Sequence, residues 1–408
     1  MAVDVQTKKF DVGGVMLDRP FKIRRLGHFG FNVRNFEECV RFYNELLGFR
    51  KSDVLSGPSG VFGVFMRHNS DHHSLLIERM HEGPKKVPEH HTARPEGDGA
   101  GYEDVTINQV TWQVGSLKEV VDASNWLREQ GVTMRNLGRG MPGFNYHAYF
   151  FSPEGQVDEL YYGIEQIGWN GASRHTRTYT HERHFRYAPD LPQIPDQQET
   201  LDLLGQGIDV QGGVSDLEPA GEYEVEGVML ARPFRVTRVG PVRLFVKHMD
   251  TAERFYRETL GFAFTEEVTY HGQRCVFLRA NTEHHSLALY PLALRAELGF
   301  REESSCFSLG AQVATYRQLK DALAFLKEHG CTVRELPAEL FPGVGHSALV
   351  LDPDGNAVQL YSYMEQIGWD GKPRPASQRP RIVPGEWPDS VPAEPDSYQG
   401  EVFLGPLG

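Results

Sequence analysis

The chain of 408 residues contains an internal duplication, which constrains its fold more than any other feature. The segment FDVGGVMLDRPFKIRRLGH at 10–28 returns as YEVEGVMLARPFRVTRVGP at 223–241. RFYNELLGF and DHHSLLIE return as RFYRETLGF and EHHSLALY, and EQIGW closes both halves. Such self-similarity is typical of one structural unit copied along a chain. The two halves should therefore share one fold.

Each half divides again into two modules with the same order of elements. HFGFNV alternates like a strand, and the apolar stripe of FEECVRFYNELLGF predicts a helix that ends at Gly48. Strands follow around Val61–Arg67 and Ser74–Arg79, and the same order recurs in the next quarter of the chain. The sequence therefore predicts an α+β fold of four βαβββ modules, at residues 22–80, 105–164, 236–291 and 305–364.

The four modules are predicted to pair into two tandem domains. We assign residues 1–170 to the first domain, 171–222 to a linker, 223–370 to the second domain and 371–408 to a tail. Each pair of modules should form a curved-sheet cup, lined by side chains from the first and last strand of each module. The proline-rich tail is expected to lie over the surface without regular structure.

Composition excludes several classes of function. Asp and Glu number 55 against 42 Lys and Arg, a net charge of −13, which argues against nucleic-acid and anionic-membrane partners. No apolar run is long enough to span a bilayer, and no secretory signal is visible. The four cysteines are scattered, so neither a disulfide framework nor a thiolate zinc site is indicated. We therefore expect a cytoplasmic protein; the sequence leaves open whether it forms a homo-oligomer.

Three side chains at cup-lining positions of the first half are candidate metal ligands. His28 lies on the first strand of module one, Gln109 on the first strand of module two, and Glu159 on the last strand of module two. One imidazole, one amide oxygen and one carboxylate make an open site for a divalent first-row metal. Open coordination positions are what Lewis-acid or oxygen chemistry requires.

The second half lacks these ligands at the matching positions. Pro241, Ser308 and Gln359 stand where His28, Gln109 and Glu159 stand in the first half. A proline side chain has no donor atom, and the other two side chains are uncharged. We therefore predict that residues 22–170 hold the site and that residues 223–370 are structural.

Several motifs resemble the vicinal oxygen chelate superfamily, which includes glyoxalases, bleomycin resistance proteins and extradiol dioxygenases. LGHFGFNV with RFYNELLGF, DHHSL, and SPEG followed by ELYY are similar to motifs of two-domain type I extradiol ring-cleavage dioxygenases. The resemblance covers residues 22–165 and 235–365. The sequence departs from that family because Gln109 stands where it has a second histidine ligand, although glyoxalase-type members use glutamine beside histidine and glutamate. The better-equipped half here is N-terminal, whereas the family's catalytic half is normally C-terminal.

The resemblance implies roles for individual residues. His28 matches the first histidine ligand and Glu159 the carboxylate ligand. His73 matches a histidine that helps to handle dioxygen and protons, and Tyr149 a tyrosine that hydrogen-bonds the bound catecholate. His147, on the same strand face as Tyr149, is a candidate acid–base group or substitute ligand.

Structural roles stay open for some of these residues. The histidine pair that includes His73 recurs at 284–285, in the half without ligands, so the pair also fits a role in packing. Tyr149 equally fits a core aromatic residue. For the Gly-Trp pairs, present in both halves, packing is the better explanation.

The resemblance implies an extradiol ring-cleavage dioxygenase that inserts both atoms of dioxygen into a catechol-type aromatic. Fe(II) is the expected metal, with Mn(II), Zn(II) or Ni(II) as alternatives, and an aromatic diol and dioxygen are the expected substrates. One alternative is a non-oxidative metal-dependent lyase or isomerase of the glyoxalase type. Another is a vestigial protein that only binds an aromatic ligand.

Overall fold

The structure is a computed structural model that describes residues 8–80, 106–139, 144–168, 170–173, 201, 204–210, 212–368 and 370–393. Within these residues the chain forms two eight-stranded mixed sheets, one from each half, with few helices. The predicted α+β fold of two tandem domains is confirmed. No helix in the described ranges combines the length and hydropathy needed to cross a bilayer.

The first half begins with a hairpin and continues with two modules. The hairpin strands are β1 (Phe10–Val12) and β2 (Val15–Leu17). Module one consists of β3 (Arg25–Val33), α1 (Phe36–Arg41) with a π-helical turn (Phe42–Leu46), β4 (Arg50–Gly57), β5 (Gly60–Arg67) and β6 (Leu75–Arg79). Module two consists of β7 (Ile107–Gln113), α2 (Leu117–Glu129), β8 (Met134–Arg139), β9 (Phe144–Phe151) and β10 (Val157–Ile164).

The second half repeats this plan with a few additions. Its hairpin strands are β11 (Tyr223–Val225) and β12 (Val228–Leu230). Module three consists of β13 (Val236–Val246), α3 (Met249–Arg254) with a π-helical turn (Phe255–Leu260), β14 (Ala263–Tyr270), β15 (Gln273–Arg279) and β16 (Leu287–Pro291). The extra helix α4 (Ala293–Glu297) precedes module four, which consists of β17 (Cys306–Val313), α5 (Tyr316–Glu328), β18 (Val333–Arg334), a 3₁₀ turn (Ala338–Leu340), β19 (Ser347–Leu351) and β20 (Ala357–Tyr361). A further 3₁₀ turn (Ala376–Gln378) lies in the tail.

Sheet order explains why first and last strands matter for the site. The first sheet runs β4-β5-β6-β3-β7-β10-β9-β8, and the second runs β14-β15-β16-β13-β17-β20-β19-β18. In each sheet the first strands of two modules pair antiparallel at the centre, and each is flanked by the parallel last strand of its own module. Side chains from these four strands are therefore close neighbours.

The hydrophobic core is shared by the two halves. One continuous cluster of buried side chains contains Phe31 and Trp112 from the first half together with Phe262 and Leu326 from the second. The Trp112 and Phe262 rings meet edge to face, with centroids 4.8 Å apart. Because burial of large aromatic side chains is the strongest packing contribution in a core, this cluster fixes the two sheets relative to each other.

Each half also caps a helix of the other half. The Asp354 carboxylate, in the turn before β20, accepts hydrogen bonds from the backbone N–H groups of Arg34 and Asn35, just before α1. Glu154, in the equivalent turn before β10, accepts from the backbone N–H groups of Lys247 and His248, at 2.8 and 2.9 Å, just before α3. An acidic side chain at a helix N-terminus satisfies free N–H groups and interacts favourably with the helix dipole.

We expect Asp354→Ala and Glu154→Ala each to lower the free energy of unfolding by about 1–3 kcal/mol, because each leaves two partly buried backbone donors without a charged acceptor. Urea unfolding monitored by fluorescence and circular dichroism checks this. Asp122→Ala, which removes a surface pair with Lys118, is the control and should cost less than about 0.5 kcal/mol. Equal, negligible effects of all three substitutions would contradict the capping role.

Candidate metal centre

Three neighbouring strands bring the predicted ligands together. β7 pairs antiparallel with β3 and parallel with β10, and Thr111 lies opposite both His28 and Glu159. Gln109 lies two residues before Thr111 and therefore points to the same face of β7. The His28 Nε2 and Glu159 Oε2 atoms are 3.2 Å apart. The Glu159 Oε2 atom also accepts hydrogen bonds from Thr111 Oγ1 at 2.7 Å and from Gln109 Nε2 at 3.4 Å.

The small residue next to His28 makes room for an aromatic neighbour. A Cβ atom at Gly27 would lie 2.2 Å from the ring of Tyr161, so a glycine is required there. The Tyr161 ring packs against the His28 ring with centroids 5.2 Å apart. This packing holds the imidazole on the Glu159 side of the strand.

The Glu159 side chain is fully buried yet retains its charge. Burial acts to raise its pKa, but the facing His28 imidazole, the charge of His147 and the Thr111 hydrogen bond together lower the pKa below its usual value. Its second oxygen, Oε1, is buried and has no hydrogen-bond partner among the described residues. A buried anionic oxygen without a partner is costly unless a cation is bound beside it.

The set of donors fits a divalent cation. In the described part of the chain no three His, Cys, Asp or Glu side chains are grouped to hold a metal. Gln109 lies within hydrogen-bond distance of Glu159, and its amide is a candidate third ligand. The Gln109 Oε1 atom accepts a hydrogen bond from Tyr149 OH at 3.1 Å, and its Nε2 atom faces Glu159. Rotation of this amide by half a turn presents the oxygen as a ligand, and such amide orientations are assigned from hydrogen bonding.

Predicted residues around this set lie close to it. The His73 ring lies against the His28 ring at an interplanar angle of 58°, with centroids 4.2 Å apart, and both side chains are buried. Burial and the neighbouring His28 and His72 rings hold the pKa of His73 well below its usual value, so this imidazole is neutral. The His72 and His73 Nδ1 atoms are 2.9 Å apart.

Tyr149 and His147 lie side by side on β9 and face the set of candidate ligands. Their ring centroids are 4.6 Å apart, and the Tyr149 hydroxyl reaches Gln109. Burial and the Glu159 charge raise the pKa of Tyr149 well above its usual value, so its hydroxyl stays protonated. Tyr149 is therefore a hydrogen-bond donor at this site.

The repeated EQIGW motif clamps the loop that carries the histidine pair. Asp71 in this loop accepts hydrogen bonds from Arg25 Nη2 at 2.6 Å and from Gln166 Nε2 at 2.8 Å. The backbone N–H of Ile167 donates to Ser70 O at 2.7 Å. In the second half Glu283 pairs with Arg238 and the backbone N–H of Ile367 donates to Thr282 O, so residues 166–167 and 366–367 hold this loop in both halves.

Two functional-site neighbours were missed in the sequence analysis. Thr111 is one, and the other is Arg243 on β13 of the second half, two residues after Pro241. Arg243 is fully buried; its Nη1 atom donates to Ser308 Oγ at 3.4 Å, its Nη2 atom is 3.1 Å from His285 Nε2, and its guanidinium lies over the Phe341 ring. Both lie two residues from positions that the analysis did assign to the inner face, so strand alternation contained the signal.

Family comparison agrees with this architecture. The model of the Glyoxalase/Bleomycin resistance protein/Dioxygenase superfamily matches residues 25–190 and 238–360. The chain belongs to this superfamily. No curated protein matches the chain in sequence.

Solved structures of the same fold come from several kinds of enzyme. One is a Mn(II)-bound glyoxalase from Novosphingobium aromaticivorans, 14% identical with a TM-score of 0.53, over 87% of this chain and 89% of that one. Another is the 2,3-dioxygenase LapB from Pseudomonas sp. KL28, 16% identical with a TM-score of 0.55, over 86% and 96%. A third is homoprotocatechuate 2,3-dioxygenase from Brevibacterium fuscum, in complex with 3,4-dihydroxyphenylacetate, 14% identical with a TM-score of 0.53, over 86% and 83%. At these identities the similarity establishes the fold alone.

Proposed function

We propose that the first half binds a divalent metal through His28, Glu159 and Gln109, and that it cleaves a catechol-type aromatic with dioxygen. The observation that carries this proposal is the buried, ionised Glu159, whose Oε1 atom lacks a hydrogen-bond partner in the described chain while its Oε2 atom lies 3.2 Å from His28 Nε2. An imidazole nitrogen and a carboxylate oxygen that face each other 3.2 Å apart can both coordinate one small cation.

The donor set restricts the metal and its chemistry. Histidine, carboxylate and amide donors suit first-row divalent ions, and Fe(II) is the ion whose chemistry includes reaction with dioxygen. At such a site Fe(II) would supply two kinds of chemistry: chelation of the two adjacent catechol oxygens, and transfer of electron density from them to dioxygen. Three protein ligands leave open the positions that these molecules require.

The surrounding side chains have matching roles in this proposal. The neutral His73 imidazole accepts the proton that a catechol loses on binding. The protonated Tyr149 hydroxyl donates a hydrogen bond to a substrate oxygen and so orients the ring. His147, beside Tyr149, supplies a second imidazole for proton transfer. Holding the reacting groups in one geometry removes much of the entropic part of the barrier.

Oxygen consumption tests the proposal. Protein loaded with Fe(II) without air should consume dioxygen when a panel of substituted catechols is added, with one equivalent of oxygen taken up for each ring cleaved. The ring-cleavage product is followed by its visible absorbance. A protein that retains Fe(II) and binds catechols, yet consumes no oxygen with any of them, would contradict ring cleavage.

The glutamine favours a second candidate function. An amide oxygen is a harder and weaker donor than imidazole, and it leaves the metal more suited to Lewis-acid chemistry. A non-oxidative lyase or isomerase of the glyoxalase type is therefore the second candidate. Turnover without air, with Mn(II), Zn(II) or Ni(II), distinguishes it from ring cleavage.

We expect Gln109→His to tighten metal binding at least about tenfold, because imidazole is the stronger donor for first-row divalent ions. Competition with a fluorescent chelator measures the change. Ser308→His is the matched control in the second half, because Ser308 stands where Gln109 stands and lies beside the buried positive charge of Arg243; it should create no site. If Gln109→His gains ring cleavage from a parent that has none, the second candidate function is favoured.

A further inference from the structure

A cavity of about 230 Å³ lies where the first half meets the beginning of the second half. It is separate from the candidate metal ligands, none of which lines it. Four arginines line it: Arg50 and Arg67 from the first half, and Arg232 and Arg235 from the segment that leads into β13. This concentration of guanidinium groups is unusual in a chain whose net charge is −13.

Acidic groups balance only part of this positive charge. Arg50 lies 3.6 Å from a carboxylate oxygen of Asp216 and 3.6 Å from one of Glu218, and Arg232 is paired with Glu218. Arg235 takes part in none of the ion pairs formed among the described residues. Within the described chain, two carboxylates therefore face four guanidinium groups.

Arg67 is the cation whose surroundings are least suited to it. Its terminal nitrogens donate only to neutral carbonyl groups, those of Asn69 and Asp216, and its buried Nε atom has no partner among the described residues. Burial, with the positive charges of Arg50 and Arg235, lowers its pKa despite the nearby acids. A buried donor without an acceptor costs free energy that an anionic ligand would recover.

We propose that this cavity binds a small organic dianion, either a phosphate ester or a dicarboxylate. Guanidinium groups donate in a planar fork that matches the oxygens of both anions, and two negative charges balance the excess positive charge. The cavity volume equals roughly eight water molecules at ~30 Å³ each, which leaves room for carbon atoms beside the anionic group. Arg50 and Arg232 are 6% and 7% exposed, whereas Arg235 is exposed, so a bound anion would contact both buried and solvent-accessible guanidinium groups.

The duplication provides an internal comparison. Arg232 packs against Gly48 as Arg19 packs against Gly261: a Cβ atom added at either glycine would lie within 2.5 Å of the guanidinium. At the junction where Arg19 meets Gly261, however, Ala263 occupies the position that Arg50 occupies at the junction where Arg232 meets Gly48. The set of four arginines therefore belongs to one junction only and is not required by the shared fold.

Calorimetric titration of the full chain tests the proposal at constant ionic strength, with phenyl phosphate and succinate as the two probes. We expect saturable binding of one equivalent of at least one probe, with a dissociation constant below about 1 mM. Tighter binding of phenyl phosphate identifies a phosphate ester as the ligand class, and tighter binding of succinate identifies a dicarboxylate. Arg235→Gln and Arg67→Gln remove no member of the ion pairs that Arg50 and Arg232 form with Asp216 and Glu218.

Arg235→Gln and Arg67→Gln should each weaken binding at least about tenfold, because each removes a charged donor. Arg279→Gln, the counterpart of Arg67 at the other junction, should change binding less than about twofold and controls for net charge. The proposal fails if neither probe binds, or if all three variants weaken binding equally. It also fails if Glu218→Gln abolishes binding, since removal of a competing carboxylate should strengthen it.

Discussion

Glu159→Gln should remove the bound metal from the first half and, with it, catalysis. We expect metal retention to fall by more than about 100-fold. This exceeds the roughly 10- to 100-fold loss of affinity that is typical when a residue hydrogen-bonded to a metal ligand is removed. Turnover should fall in the same proportion, because no other described carboxylate is grouped with His28 to replace it. The substitution keeps the size of the side chain and removes only its charge.

The fold should survive this substitution. Thr111 Oγ1 donates to Glu159 Oε2 at 2.7 Å and has an equally good acceptor in the amide oxygen of glutamine. The change also removes a charge that the His28 imidazole and the Thr111 hydrogen bond stabilise in the folded protein, since they lower the pKa of Glu159 despite its burial. Metal-free Glu159→Gln should therefore stay folded but unfold at a temperature equal to or below that of the metal-free parent.

Metal content after anaerobic loading and dialysis, with unfolding temperature measured on the same samples, checks both expectations. Thr111→Val is an intermediate case. It keeps the Glu159 carboxylate but removes the hydrogen bond that Thr111 donates to it, so metal retention should fall about 10- to 100-fold. Gln359→Ala alters the equivalent position of the second half and should leave metal content unchanged. Full metal content in Glu159→Gln would show that Glu159 is not a ligand.

Strand alternation and the duplication explain why much of the site was predictable. His28, Gln109 and Glu159 were placed by counting along strands whose order the repeat had defined, and Glu159 lies within hydrogen-bond reach of both His28 and Gln109. The exact pairing across strands was not predictable, and it is the pairing that places Thr111 between His28 and Glu159. Alternation also carried the signal for Arg243, but a buried arginine contradicts the expectation that charged residues face solvent.

Contacts between distant segments were beyond the sequence. The SPEG turn was predicted, and the DPDG turn occupies the same place in the second half, yet no local pattern shows that their acidic residues cap helices of the opposite half. The arginine cavity depends in the same way on segments brought together only by the docking of the two halves. The local periodicity of apolar residues determines where helices and strands form. Contacts between the two halves depend instead on how the folded halves pack against each other.

One carboxyl group at the junction of the two halves should contribute less to the free energy of unfolding as the pH rises from about 4 to about 8. Asp158 is fully buried on β10, where it accepts hydrogen bonds from Trp112 Nε1 at 2.8 Å and from Tyr256 OH at 3.2 Å. Burial raises its pKa from 3.8 to about 7, although these two hydrogen bonds act to lower it. The folded protein therefore holds a proton that the unfolded chain has already released.

The sign of the effect follows from proton linkage. Between the unfolded pKa of 3.8 and the folded pKa of about 7, the folded state binds the extra proton, so the free energy of unfolding decreases as pH rises through this window and is constant above it. At about 1.4 kcal/mol for each pKa unit, the full decrease is on the order of 4 kcal/mol. His68, whose pKa burial lowers to about 4, acts in the opposite direction.

Comparison with Asp158→Asn isolates the contribution of this group from that of His68. The amide keeps an oxygen acceptor for Trp112 and does not ionise, so the variant should be more stable than the parent at pH 8 by about 2–4 kcal/mol. Near pH 4 the difference should vanish or reverse. Urea unfolding across this pH range gives both curves.

Asp352→Asn is the comparison variant, because Asp352 is a second buried aspartate that accepts a hydrogen bond from a tyrosine of the other half, although the duplication aligns it with Ser152. Asp352 accepts hydrogen bonds from Tyr43 OH, from Asn356 Nδ2 and from two backbone N–H groups. An amide in its place loses an acceptor and brings unmatched donors, so this variant should be less stable than the parent throughout the pH range. If Asp158→Asn behaves in the same way, Asp158 is ionised in the folded protein, and its hydrogen bonds to Trp112 and Tyr256 outweigh the cost of burying its charge.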